Sequence, residues 1–103
     1  MAYKISVSPR TQTEIENAID YYSQFSTDAP KYFILSLKKA YSSLSKNPFY
    51  QIRYKNIRTF KLMKFPYSLF YIIDEENKSL KILSCFHDKI NPKKRPRWEN
   101  VKL

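Results

Sequence analysis

The chain has 103 residues, with 19 lysines and arginines against 9 acidic residues, a formal net charge of +10, and 43% hydrophobic and 17% aromatic residues. That length predicts one small domain spanning residues 1–103, and the apolar content fills a single core and excludes a disordered chain. Glycine is absent, which excludes glycine-rich phosphate loops and nucleotide cofactors of the P-loop or Rossmann kind, and leaves the turns to Asn, Asp, Ser and Pro.

In chain order, Tyr3, Ile5 and Val7 alternate with Lys4 and Ser6, the pattern of a short strand with one polar face. Ser8 then suits a helix N-cap and Pro9 the first helical position, while Thr11 and Glu14 offer a competing capping box. Ile15, Ala18, Ile19, Tyr22 and Phe25 recur at helical spacing and predict a buried stripe; Glu14, Glu16 and Asp20 are expected on the outward side. Residues 26–28 break this helix and cap a second, whose stripe is Phe33, Leu37, Ala40, Tyr41 and Leu44, with Ile34 beside it, ended by Asn47-Pro48. The short link predicts an antiparallel helical hairpin.

Residues 48–56 read as a loop or a short piece of strand, and residues 57–64 as a strand with Phe60 and Leu62 toward the helices and Lys61 on the open face. Phe65-Pro66 interrupts before an aromatic and β-branched strand at residues 67–74. The polar run at residues 75–78 suits a hairpin turn into a last strand at residues 80–85. Tyr67, Leu69, Tyr71 and Ile73 fall on one face of the middle strand, and Ser68, Phe70 and Ile72 on the other. Both faces are apolar, so both are expected to be covered. The predicted fold class is α+β, ordered β-α-α-β-β-β, with the helical hairpin on one face of a small, mainly antiparallel sheet in which the first strand pairs with a later one.

Charge is uneven. No acidic residue occurs between Asp28 and Asp74, and a basic tail at residues 88–103 carries Lys89, Lys93, Lys94, Arg95 and Arg97 together with Trp98. Such a field favours polyanions or acidic protein segments. Trp98 either joins the basic tail at a target or folds back onto the open sheet face. Cys85 is the only cysteine and His87 the only histidine, a poor metal set, so no metal and no cofactor are expected. Cys85 reads as a small buried hydrophobe. The N-terminus lacks the apolar core of a signal peptide and no stretch approaches a membrane span, which makes cytoplasm the expected compartment and leaves no membrane partner.

Several stretches together resemble one family: AIDYYSQF in the first helix, KNP closing the second, NIRTFKLMKFPYSLFYIID across the strands and SCFHDKINPKKRPRW at the end. They are similar to the RelE/ParE superfamily, the toxins of bacterial type II toxin–antitoxin systems, and look most like ParE or plasmid-stabilisation members. The resemblance implies a cognate acidic antitoxin as partner and growth inhibition through DNA gyrase, for ParE-like members, or through the ribosome and its mRNA, for RelE-like members. In RelE-like chemistry no metal is used; cations hold the phosphate while flanking groups move protons.

Carried onto this chain, the resemblance puts one second-strand lysine at Lys61 and the other at Thr59. The phosphate-clamping arginine falls at Ser68, the late arginine near Asp88, and the C-terminal tyrosine near Lys94. As a nuclease the chain would rely on Lys61 and His87. As a binding toxin it would use Arg53, Arg58, Lys64, Lys89, Lys93, Lys94, Arg95, Arg97 and Trp98 against its target, with Phe70 and Ile72 under the antitoxin. The depleted nuclease set favours a ParE-like binding toxin directed at gyrase. The alternatives are a ribosome-dependent mRNA endonuclease and a non-toxic member that only binds antitoxin.

Overall fold

A computed structural model describes residues 2–88. The elements follow in the order β1 (Lys4–Val7), α1 (Pro9–Ser23), α2 (Ala29–Lys46), β2 (Ile52–Tyr54), β3 (Ile57–Lys61), β4 (Tyr67–Asp74) and β5 (Ser79–His87). They build one five-stranded sheet, β1-β5-β4-β3-β2, in which β1 pairs parallel with β5 and the other pairs are antiparallel. This is the expected α+β arrangement with one addition: part of residues 48–56 forms the edge strand β2. The last strand also runs on to His87, beyond the expected end at Cys85.

Ser8 caps α1, its hydroxyl accepting the Thr11 N–H at 3.1 Å, with Pro9 following. The capping box does not form. Thr11 is buried and donates through Oγ1 to the Ile82 carbonyl, and Glu14 turns inward to β5 rather than outward to solvent. Ile15, Ala18, Ile19 and Tyr22 pack on the core, but Phe25 lies past the end of the helix and is 68% exposed. Before α2, the Ser26 hydroxyl accepts the N–H groups of Asp28 and Ala29, while Asp28 makes no side-chain cap. Asn47 ends α2, and its side chain accepts the N–H of Phe49.

The sheet carries two cores. Between sheet and helices, Phe33, Leu37, Ala40 and Leu44 of α2 meet Tyr67, Leu69 and Tyr71 of β4, with Leu62 and Phe60 on the same side. Tyr22, Phe33, Phe65 and Tyr67 form an aromatic knot with ring centroids 5.2–6.3 Å apart. Edge-on contacts of this kind add roughly 0.5–1.5 kcal/mol per pair to the area buried. On the opposite face Ile57, Phe70 and Phe86 pack with Ile72 and Leu83. The alternation along β4 therefore assigns both faces as its sequence implies, despite an irregularity between Phe70 and Tyr71.

Without glycine, three positions with positive φ among the described residues fall to lysine: Lys55 at 52°, Lys64 at 69° and Lys78 at 50°. The sequence expectation that Asn, Asp, Ser and Pro would carry the turns is thus only partly met. Lys55 opens the two-residue loop between β2 and β3, and Lys64 lies in the β3–β4 link. In the β4–β5 turn, Asp74 accepts from both the backbone and the side-chain amide of Asn77, which positions Lys78 at the reversal. The Asp74 carboxyl is held below its usual range first by the Asn77 side chain and then by its N–H.

Candidate functional site

On the sheet face away from the helices, a groove of about 330 Å³ is lined by Gln51, Arg53, Thr59, Lys61, Ser68, Phe70, Phe86 and Asp88. Strand register explains why these meet. Thr59 opposes Phe70, Lys61 opposes Ser68, and Ser68 opposes Phe86. Residues directly across a ladder share a face, so the side chains of β3, β4 and β5 rise side by side. Gln51 is held at the edge by the Thr59 N–H, which donates to its carbonyl at 3.0 Å.

Asp88 closes one end of the groove. Its N–H donates to the Pro66 carbonyl at 2.8 Å, fixing the backbone just after β5. The Ser68 hydroxyl donates to its Oδ1 at 2.7 Å, and its Oδ2 lies 3.8 Å from Lys61 Nζ. Lys61 thus faces a carboxylate. The groove holds two cations, Arg53 and Lys61, and one anion, Asp88.

The sequence candidates divide between places. Arg53, Lys61 and Phe70 line this groove together. His87 opposes Tyr67, one step along the ladder from the Ser68–Phe86 pair, and so belongs to the helix-side face; its ring stands edge-on to Tyr67 at 4.9 Å. The structure does not bring Lys61 and His87 together. Arg58 opposes Tyr71, also on the helix side. It donates to the Tyr50 carbonyl at 2.6 Å and lies over the Phe49 ring. Phe70 is only 7% exposed and Ile72 packs beside it in the second core, so this pair is built into the fold. Lys89, Lys93, Lys94, Arg95, Arg97 and Trp98 lie outside the described residues.

Lys64 lines a different cleft, of about 360 Å³, between α2 and the β3–β4 link. Tyr32, Leu35, Ser36, Lys39, Met63 and Phe65 complete it. The Ser36 hydroxyl donates to the Met63 carbonyl at 2.9 Å and ties the link to the helix. Met63 is 67%, Tyr32 61% and Leu35 49% exposed. The cleft therefore exposes apolar side chains between Lys39 and Lys64. The sequence marks Asp88 only as a departure from a family arginine, and of this cleft it marks Lys64 alone. Tyr32 and Leu35 sit three apart on the α2 face away from the buried stripe, which is the one sequence signal that could have located the cleft.

Among the described residues no group of three or more His, Cys, Asp or Glu side chains can hold a metal ion, and no helix is long and apolar enough to cross a membrane. Cys85 is buried, and burial pushes its thiol up to about 12, Glu14 adding to the effect.

Solved structures share the fold. The chromosomal ParDE toxin–antitoxin system of P. aeruginosa superposes with a TM-score of 0.67 at 13% identity, covering 84% of this chain and 96% of that one. The RelBE2 toxin–antitoxin complex of Mycobacterium tuberculosis gives 0.61 at 17% identity, over 84% and 92% of the two chains. A mutant of E. coli toxin RelE in the free state gives 0.59 at 17% identity over 86% of each. At such identities the likeness carries the fold alone. No curated protein matches by sequence. The family model for the ParE toxin of the type II toxin–antitoxin system parDE matches residues 5–92, most of the chain, and the chain belongs to that family.

Proposed function

We propose that this ParE-family protein stops growth by binding DNA gyrase rather than by cutting RNA, and that an acidic antitoxin segment neutralises it. The observation that carries the reading is the separation of Lys61 from His87 on opposite faces of the sheet. A general acid and a general base must both come within hydrogen-bond reach of one reacting centre. Two groups divided by a sheet do not. Ser68, where the resemblance expects a phosphate-clamping arginine, is bonded to Asp88 instead. The match to the ParE family model supports the same side.

For the antitoxin, the exposed apolar surface at the α2 cleft supports docking there rather than over Phe70 and Ile72. Tyr32, Leu35, Met63 and Phe65 offer apolar contact, and Lys39 and Lys64 flank it with positive charge. An amphipathic segment with apolar anchors and acidic neighbours matches that pattern.

The decisive experiment pairs gyrase supercoiling in vitro with mapping of mRNA 5′ ends after brief induction. Inhibited supercoiling with no new mRNA ends is the expected result. In-frame cuts that require translation would establish the endonuclease and overturn the reading. Induction with neither effect and no growth arrest would leave a non-toxic antitoxin-binding protein.

A further inference from the structure

The Lys61 groove has donors suited to a phosphate, namely the Lys61 ammonium, the Arg53 guanidinium and the Ser68 and Thr59 hydroxyls, yet one of the chain's own carboxylates takes two of them. We propose that Asp88 is a specificity-determining residue that bars phosphodiester polyanions from this groove by occupying the place a phosphate oxygen would take.

The geometry is that of an internal stand-in. Asp88 Oδ1 accepts the Ser68 hydroxyl at 2.7 Å and Oδ2 faces Lys61 Nζ at 3.8 Å. The backbone bond from the Asp88 N–H to Pro66 fixes the direction from which the carboxylate enters. Ser68 is only 8% exposed, so its hydroxyl is committed to the groove and not to bulk water. The Ser68 bond anchors the carboxylate, but stability does not account for the Lys61 half of the arrangement. The Lys61 side chain is 71% exposed, and an ion pair so open to solvent contributes little to folding. Its effect is on where charge sits. A carboxylate beside an approaching phosphate repels it and occupies the cation that would receive it.

This matters in a chain of net charge +10, with no acidic residue between Asp28 and Asp74. Phosphate backbones bind such surfaces through counterion release, whatever their sequence. In this groove Arg53, Lys61 and the Ser68 and Thr59 hydroxyls share one concavity. A single anion there removes one nonspecific foothold and leaves most of the overall field in place. The inference rests on the groove and not on the identity of the target, so it stands or falls separately from the gyrase assay.

The test is binding of a fluorescein-labelled single-stranded oligouridylate to the purified full chain, by anisotropy across a salt series. Asp88→Asn is expected to bind roughly tenfold tighter at low salt, with the slope of log affinity against log salt steeper by about 0.7, the increment for one added single-strand phosphate contact. The charge-matched Asp20→Asn, on the exposed side of α1, is expected to bind less tightly than Asp88→Asn. Adding Lys61→Ala to Asp88→Asn should abolish the gain. Asp88→Ala, which also frees the Ser68 hydroxyl, should reproduce it, and thermal melts establish that each variant is folded. Asp88→Asn binding no tighter than Asp20→Asn, or a gain that survives loss of Lys61, would overturn the proposal.

Discussion

The Glu14 carboxylate of α1 accepts the backbone N–H of Cys85 in β5 at 3.0 Å and the Ser84 hydroxyl at 2.8 Å through the same oxygen. The bond completes a series. β1 pairs with β5 only as far as Val7 opposite Ile82, yet β5 runs on to His87. Beyond Val7 the edge of β5 is satisfied from the start of α1. The Ser8 N–H and Thr11 Oγ1 both donate to the Ile82 carbonyl, and the Ser8 hydroxyl to that of Leu83. Ser8, Thr11 and Glu14, three residues apart on one helix face, thus continue the work of a strand. Without them β5 would present unpaired groups under the helix, which is costly.

Glu14→Ala is accordingly expected to destabilise the fold by about 2 kcal/mol, the scale of a hydrogen bond to a charged group plus the donors left behind. Urea unfolding followed by circular dichroism measures it. Glu14→Gln, which keeps an acceptor, should lose less than half as much.

At Lys55 the backbone takes a φ of 52°, which a side chain with a Cβ disfavours and glycine does not. Lys55→Gly is expected to stabilise the protein by about 0.5–1 kcal/mol, partly offset by loss of the exposed Lys55–Tyr54 contact. A lower urea midpoint in the variant would show that the position is not strained.

Alkali should unfold the protein through its buried tyrosines. Burial pushes Tyr41, Tyr67 and Tyr71 each up to about 12. In the unfolded chain these phenols ionise near the usual value of 10. The folded form therefore holds protons that the unfolded form releases. The stability this provides is complete below pH 10 and is lost as pH rises toward 12. A stability profile by urea titration should be flat through neutrality and fall steeply in that window. Tyr71→Phe should soften the fall, while costing about 1 kcal/mol at neutral pH through loss of the 2.7 Å bond to the Pro48 carbonyl.

If the α2 cleft receives the antitoxin, Leu35→Asp and Met63→Asp should each weaken co-purification with the cognate antitoxin at least tenfold, since each removes apolar contact and adds like charge. Both side chains are about half exposed or more, so the variants should fold. Ile72→Asp is the comparison. Because Ile72 packs in the second core, its loss of binding counts only if a thermal melt shows the variant folded; then equal binding by the cleft variants would return the antitoxin to the opposite face.

Much of this protein was legible in the sequence. The Ser8-Pro9 start, the two apolar stripes and the alternation of residues 67–74 report local preferences, and local preference survives folding when the buried face is the one the pattern marks. The basic surplus and the family-like stretches likewise needed no coordinates. Tertiary structure decided what depends on neighbours distant in the chain. Glu14 looked like a capping residue because sequence shows only its helix; the open edge of β5, 71 residues away, outbid that role. Lys61 and His87 looked like partners because both are chemically able, but strand register, set by pairing across β4, sends them to opposite faces. Asp88 drew notice only as a departure from a family position, and became the anion of the groove because the Pro66 carbonyl and Ser68 hold it there. Periodicity tells which face a residue takes within its own element. Only the pairing of elements tells which side chains then share that face.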